Sequence, residues 1–130
     1  MMQFMLCHDN STQTGGIELL QRWHETPGSW IWLDLHEESD DEERALLSEQ
    51  FALDIGAINE AQRSRHPPSF EAFKDYIYLL LKPLDADSDT LDFNTLQLAM
   101  FAGKNFLVTR RSKKSPYLAK LWQSLSDNGG

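Results

Sequence analysis

Residues 30–35 of the chain are Trp30-Ile31-Trp32-Leu33-Asp34-Leu35. Its alternate residues Ile31, Leu33 and Leu35 are apolar, which predicts a β-strand, because successive side chains of a strand point to opposite faces. The two tryptophans lie on the other side, so both faces are apolar where the strand begins. This stretch therefore predicts an inner strand that other elements cover on both sides.

Residues upstream of this strand predict one strand, one loop and one helix. Residues 3–7 are apolar enough for a short first strand, and the polar, glycine-containing residues 10–16 predict a loop. Ile17, Leu20 and Trp23 follow at helical spacing, with Pro27 and Gly28 marking the end of that helix.

Two helices are predicted downstream of the strand. Ser39 followed by Glu42 is a capping-box signature, and the acidic residues 40–43 suit the positive end of a helix dipole. The first helix supplies a buried stripe of apolar residues, namely Leu46, Leu47, Phe51 and Leu53. The second helix is expected to direct Ile55 and Ile58 inward and to end before Pro67.

The second half of the chain is rich in strand patterns. Residues 70–73 and 76–81 predict two strands about a tight turn, and 96–101 and 106–109 predict a second hairpin. A final helix with an amphipathic face is expected to begin after Ser115. The first two crossovers favour a parallel pair and the hairpins favour antiparallel neighbours. The order predicts a single α/β domain over residues 1–130, with helices packed on one mixed sheet.

The same spacing predicts one hydrophobic core that joins the sheet to the helices. Its expected members alternate along strands or recur at helical spacing, and they are Leu33, Leu35, Phe73, Ile77, Leu79, Leu98, Phe106, Val108, Leu118 and Trp122.

Charge separates the chain into an acidic body and a basic end. Its 130 residues include 12 basic and 20 acidic side chains, a net charge of −8. The acidic excess lies within residues 1–103, which argues against nucleic acid as a partner because phosphates are repelled. The cluster Arg110, Arg111, Lys113 and Lys114 is interpreted as a solvated loop after a strand, with contact to phosphate or lipid headgroups as the alternative.

Few residues fall in patterns that indicate chemistry. The chain has one cysteine, four scattered histidines and no apolar run of the 18 or so residues that a membrane helix needs. No nucleophile–base arrangement points to an enzyme or to a small-molecule substrate. Residues 40–43 are interpreted as helix-capping charges. Asp85, Asp87 and Asp89 alternate with small residues and are the candidate metal ligands, with a solvated acidic turn as the alternative reading.

Three segments in order resemble the CorA-like divalent-cation transporters. These are Trp32-Leu33-Asp34-Leu35 with the acidic helix start after it, residues 68–82 around Phe73-Lys74-Asp75-Tyr76, and residues 97–109 from Gln97 to Thr109. The resemblance runs from about residue 29 to residue 125. It implies an α/β/α sandwich with one mixed sheet, at the cytoplasmic face of the cell membrane in the full-length protein.

The resemblance also implies partners and a role. In this family the domain is followed by a stalk and by transmembrane helices, and the full-length protein is a pentamer that carries Mg²⁺ or Co²⁺. The chain is then a soluble regulatory, metal-sensing domain that cannot conduct ions by itself. No tightly bound cofactor is expected, and Mg²⁺ would bind weakly, through Asp85, Asp87 and Asp89. The alternative is a free-standing soluble binding or regulatory protein of the same fold.

Overall fold

Strands dominate the part of the chain that the computed structural model describes, which is residues 2–36, 39–63, 67–81, 97–111 and 122–124. These residues form seven strands, three complete helices and a short helical stretch at 122–124. The bounds are β1 Met2–His8, β2 Ser11–Gly15, α1 Glu18–Glu25, β3 Trp30–His36, α2 Asp40–Gln50, α3 Ile55–Gln62, β4 Ser69–Ala72, β5 Tyr76–Leu81, β6 Leu98–Gly103 and β7 Phe106–Arg111.

All seven strands belong to one open sheet in the order β2-β1-β3-β7-β6-β5-β4. The pair β3–β7 is parallel and every other pair is antiparallel, so the predicted α/β class with one mixed sheet is confirmed. The parallel partner of β3 is β7, the last strand, and not a strand that one of the first two helical crossovers connects to β3. The physical reason is that β2 reverses the chain after β1, so β3 returns antiparallel to β1.

The predicted loop over residues 10–16 is wrong, because Ser11–Gly15 is the edge strand β2. Asp9 and Asn10 have φ of 49° and 64°, the left-handed conformation that two-residue hairpin turns require. A polar edge strand needs no alternation of apolar residues, since it is held by its backbone ladder to β1 and buries little. The signal in the sequence was the Asp-Asn pair rather than hydrophobicity.

Helices α1, α2 and α3 cover one face of the sheet, here called the helix-side face. Strand residues on this face are buried with the helices in one core, namely Phe4, Leu6, Ile31, Leu33, Leu35, Tyr78, Leu80, Ala99, Phe101, Phe106 and Val108. The opposite face, here called the outer face, carries Met5 and Trp32, which are also buried. The Trp122 ring lies 4.8 Å from the ring of Trp32. Both faces of β3 are therefore covered, as its sequence predicts.

The predicted side-chain register of β5 and β6 is wrong. Tyr78, Leu80, Ala99 and Phe101 enter the core, whereas Ile77 is 39% exposed and Leu79 and Leu98 are only half-buried. Both alternating sets of these strands are apolar, so periodicity could not choose between them. The aromatic pair Tyr78–Phe101, with ring centroids 4.9 Å apart, stacks on the helix-side face. Of the other expected core members, Leu118 lies outside the described residues.

Three of the predicted helices form, with small errors at their first residues, and the predicted helix after Ser115 lies outside the described residues except for the short helical stretch at 122–124. Ser39 caps α2 by accepting from the Glu42 amide at 3.4 Å, which confirms the predicted N-cap. Ile17 and Ile55 were expected to face inward but are 63% and 47% exposed, because each precedes or begins its helix and lies off the buried stripe. No helix among the described residues is long and apolar enough to cross a membrane.

Candidate functional site

The sequence singled out three aspartates as candidate metal ligands. Asp85, Asp87 and Asp89 lie in 82–96, outside the described residues. Within the described ranges, no three His, Cys, Asp or Glu side chains are grouped so that they could hold a metal ion. The structure instead concentrates charged groups at the end of β7, and these residues form the candidate site.

Two consecutive arginines of β7 leave the strand on opposite faces of the sheet. Arg110 pairs across the parallel ladder with Leu35 and therefore points to the helix side, whereas Arg111 pairs with His36 and points outward. Their side chains are 17% and 9% exposed. The interpretation of this basic cluster as a solvated loop is therefore wrong for Arg110 and Arg111, since both lie in a strand and are held by carboxylates.

On the helix-side face, Arg110 joins β7 to both α2 and α3. Its Nε donates to Glu43, whose side chain is 1% exposed, and its Nη1 donates to the Ala61 carbonyl at 3.0 Å. Asp40 lies 3.6 Å from the same guanidinium. Burial raises the pKa of Glu43, while the charge of Arg110 opposes that shift. The acidic turn at 40–43 thus contains one residue, Glu43, that is part of the interior and not a capping charge.

On the outer face, four side chains form a buried polar chain. Trp32 Nε1 donates to the Thr109 hydroxyl at 2.9 Å, and that hydroxyl donates to Asp34 at 2.9 Å. The other Asp34 oxygen accepts from Arg111 Nη2 at 2.8 Å. Asp34 and Thr109 are 5% and 0% exposed, so every partner in this chain replaces a bond to water.

Gln97, the first residue of the family-like segment 97–109, holds its place through hydrogen bonds of its side chain. Its side-chain nitrogen donates to the Arg63 carbonyl at 2.7 Å and also reaches the Ala61 carbonyl. The carbonyls at the end of a helix have no partner within the helix, so a side-chain donor there satisfies groups that would otherwise be orphaned. The chain just before β6 is therefore attached to the end of α3, beside the Arg110 contact.

This arrangement holds the end of β7 in place by ion pairs. Glu43 and Asp34 each already face a guanidinium, so a metal ion at either carboxylate would have to displace an arginine. The two ion pairs clamp the end of β7 from both faces; they are here called the inner clamp, Arg110–Glu43, and the outer clamp, Arg111–Asp34. Two open surface grooves, of about 410 and 590 Å³, lie on helices α1 to α3, and Asp40, which lies beside Arg110, lines the larger one.

Sequence reasoning missed the clamps although it quoted their residues. Asp34 was part of a recognised segment, and Arg110 and Arg111 were noticed as a charge cluster. The available signal was a single acid inside an apolar strand, since a buried charge requires a partner. What the sequence could not provide was the parallel pairing of β3 with β7, which brings residues about 75 positions apart together.

A model of one protein family matches the chain over residues 27–130, and its description is "CorA-like Mg2+ transporter protein". Curated proteins give no match. The matched range contains β3, both clamps and the region of the candidate aspartates.

Similar solved structures agree on the fold. The full-length CmaX protein superposes with a TM-score of 0.77 at 15% identity, over 98% of this chain. The cytoplasmic domain of ZntB from Vibrio parahaemolyticus RIMD 2210633 gives 0.72 at 14% identity, over 98%. The soluble domain of CorA from Methanocaldococcus jannaschii gives 0.66 at 17% identity, over 95%. The chain spans 39%, 50% and 46% of those three chains, respectively, so it corresponds to half of each or less.

Proposed function

The chain belongs to the CorA-like Mg²⁺ transporter family, and we propose on this basis that it is the cytoplasmic regulatory domain of a longer divalent-cation transporter. The family is one of transporters and not of enzymes. The observation that carries the proposal is the family match over residues 27–130, together with the fold that the chain shares with soluble and cytoplasmic domains.

The geometry of β7 supports a role in transmitting movement. This strand lies near the middle of the sheet, between β3 and β6, and its end is clamped on both faces. A pull on the chain after Arg111 would act on Glu43 of α2 through one arginine and on Asp34 of β3 through the other. A shift at this point would therefore move helices and sheet together rather than unravel one strand.

In this proposal the domain senses Mg²⁺ and works with the rest of its own protein. Its partners are a stalk, transmembrane helices and the neighbouring subunits of a pentamer, and the transported ion is Mg²⁺ or Co²⁺. Asp85, Asp87 and Asp89 are the proposed ligands. Mg²⁺ keeps several waters and takes one or two protein carboxylates, so we expect weak binding until a neighbouring subunit adds oxygens.

The first test is the coding sequence beyond residue 130. The proposal expects a long charged helix, two apolar runs of membrane-spanning length and a Gly-Met-Asn motif. A stop codon directly after Gly130 would contradict it and would favour a free-standing binding or regulatory protein of the same fold.

The second test concerns the metal site. Mg²⁺ titration followed by amide NMR shifts should move residues around 85–89, and the shifts should disappear in Asp85→Asn/Asp87→Asn/Asp89→Asn. Asp9→Asn, an exposed acid on the hairpin turn, is the matched control. Saturating shifts that survive the triple change would place the Mg²⁺ site elsewhere.

A further inference from the structure

The larger of the two surface grooves lies between helices α2 and α3. Its volume of about 590 Å³ is within the range of sites that bind small molecules, roughly 300–1,000 Å³. One face of each helix forms a wall, because the lining residues recur three or four positions apart: Asp40 and Arg44 on α2, and Ile55, Asn59 and Gln62 on α3. Arg63, directly after α3, completes the lining. All of these residues except Ile55 are polar or charged, so the groove suits a polar ligand.

Positive charge is concentrated at this groove, in a part of the chain that is otherwise acidic. Arg44 and Arg63 both line the groove, and Arg65 follows Arg63 by two positions in the sequence. These three are half of the lysine and arginine residues within 1–103, which are Arg22, Arg44, Arg63, Arg65, Lys74 and Lys82. Clustered charges of one sign in a cleft raise the local concentration of ions of the opposite sign. The groove is therefore a place on the acidic body where an anion is attracted.

Arg44 is held in one orientation and still has hydrogen-bond donors to give. Its Nη2 donates to the Gln62 side chain at 3.0 Å, and its Nη1 donates to Asp41 at 3.3 Å. Asp41 is 93% exposed, so this second contact is a surface pair that a more highly charged group can replace. The Nε of Arg44 is buried and has no acceptor in the described part of the chain. A guanidinium has five N–H donors, so one on each Nη remains for a ligand.

Arg63 supplies a second cation for which no carboxylate competes. Its side chain is exposed, and it forms no ion pair within the described ranges. Its backbone is fixed, because its carbonyl accepts from the Gln97 side chain at 2.7 Å. Guanidinium groups bind phosphate oxygens through paired N–H donors. Two arginines that line one groove are therefore suited to a phosphate group.

Asp40 and Asn59 restrict the kind of phosphate. Asp40 is 59% exposed, and Arg110, 3.6 Å away, is shared with Glu43, so part of the negative charge of Asp40 faces the groove. A bare anion is repelled there, whereas hydroxyl groups donate to the Asp40 carboxylate and to the Asn59 side-chain oxygen. The exposed side chain of Ile55 offers an apolar surface for carbon atoms. The lining thus matches a phosphate joined to a hydroxylated carbon skeleton.

We propose that the groove between α2 and α3 binds a phosphate monoester of a hydroxylated molecule, with its phosphate on Arg44 and Arg63 and its hydroxyl groups on Asp40 and Asn59. This site goes beyond the proposed function and does not depend on it. Gln62 connects the groove to the inner clamp, because it accepts from Arg44 and donates to the Asp40 carbonyl at 3.0 Å. A bound ligand therefore stabilises the contacts that hold α2 and α3 to each other.

The test is titration of the 130-residue chain with adenosine monophosphate, ribose 5-phosphate, inorganic phosphate and adenosine, at constant pH and ionic strength, followed by amide NMR shifts. Both monoesters should produce saturating shifts at Arg44, Asn59 and Arg63. Inorganic phosphate should bind more weakly, and adenosine should not bind. Tighter binding of adenosine monophosphate than of ribose 5-phosphate supports a nucleotide as the ligand, and equal affinities support a sugar phosphate.

Two variants test the role of the arginines. Arg44→Gln and Arg63→Gln each remove one phosphate contact, so each should weaken binding about tenfold or more. Arg22→Gln removes the same charge from α1, where Arg22 contacts Gln13, and should leave the affinity unchanged. Because Arg63 is exposed, Arg63→Gln tests the site even if Arg44→Gln fails to fold.

Four results would overturn the proposal. They are the absence of saturable shifts, saturating shifts confined to other residues, binding of inorganic phosphate or adenosine as tight as that of the monoesters, and affinities of the Arg44→Gln and Arg63→Gln variants equal to that of Arg22→Gln.

Discussion

At the scale of single residues, the structure turns a surface charge cluster into two interior contacts. Arg110 and Arg111 differ by one position, and the alternation of a strand sends them to different faces and different acids. Buried charges of this kind require a partner with good geometry, and both arginines have one. The decrease in the free energy of unfolding when one partner is removed therefore measures how much each clamp stabilises the domain.

Removing one member of the inner clamp should destabilise the domain strongly. Arg110→Met leaves Glu43 buried without its cation, which costs about 3–5 kcal/mol of the free energy of unfolding. Asp41→Asn breaks the exposed Asp41–Arg44 pair, where the cost is about 1 kcal/mol or less. Urea unfolding of both variants provides the comparison. Equal losses for the two would show that the inner clamp is as solvated as a surface pair.

A buried tyrosine should make stability fall at alkaline pH. Burial raises the pKa of Tyr78 above its usual 10.0, and the neighbouring carboxylates of Glu60 and Glu71 act in the same direction. Above pH 10 the unfolded chain loses this proton while the folded chain keeps it, so the free energy of unfolding decreases as pH rises. The slope from this group is at most about 1.4 kcal/mol per pH unit.

Tyr78→Phe is the control for this alkaline loss, because it keeps the ring and removes the hydroxyl. The difference in the free energy of unfolding between wild type and Tyr78→Phe should be constant from pH 7 to pH 9. At higher pH the wild type should lose stability relative to Tyr78→Phe. Parallel curves up to pH 11 would mean that the Tyr78 hydroxyl titrates normally in the folded state.

At the scale of elements, the sequence predicted what periodicity or capping encodes. The strand at β3, the cap of α2 and the hairpin β6–β7 were read correctly because each has a local signal, such as Ser39 before Glu42. The sequence did not predict which side chains face the core where both faces of a strand are equally apolar, as in Tyr76–Leu81. It also did not predict a strand that is held by backbone pairing alone, as in Ser11–Gly15. These choices depend on partners distant in the chain.

The register of β6 can be tested with two truncations. Phe101 is fully buried against Tyr78, so Phe101→Ala should cost about 3–5 kcal/mol. Leu98 is half-buried on the outer face, so Leu98→Ala should cost clearly less. Thermal or urea unfolding gives both values. A larger loss at Leu98 than at Phe101 would restore the predicted register, in which Leu98 belongs to the core.

At the scale of the whole molecule, family and fold were predictable, and the candidate site was not. Segments around Trp32, Tyr76 and Gln97 have enough order and spacing to indicate the family, and the family match confirms it. The clamps depend on the β3–β7 pairing, which no local pattern encodes. The proposed ligands Asp85, Asp87 and Asp89 remain a prediction, since they lie outside the described residues.

We expect the isolated 130-residue chain to be a monomer or weak oligomer that Mg²⁺ stabilises little. The net charge of −8 opposes association, and Mg²⁺ bound through one or two carboxylates gains little affinity without further ligands. Thermal unfolding in millimolar MgCl₂, against NaCl of equal ionic strength, is measured together with light scattering. A stable pentamer, or a large rise in melting temperature specific to Mg²⁺, would contradict this expectation.

We propose that these residues regulate cation flow through a longer transporter. The test is Mg²⁺ influx into vesicles that contain the full-length protein, measured as internal free Mg²⁺ is raised, with and without residues 1–130. We predict that influx through the intact protein falls as internal Mg²⁺ reaches the millimolar range, and that the shortened protein, shown to insert and assemble, continues to conduct. The same dependence on internal Mg²⁺ in both proteins would contradict the claim.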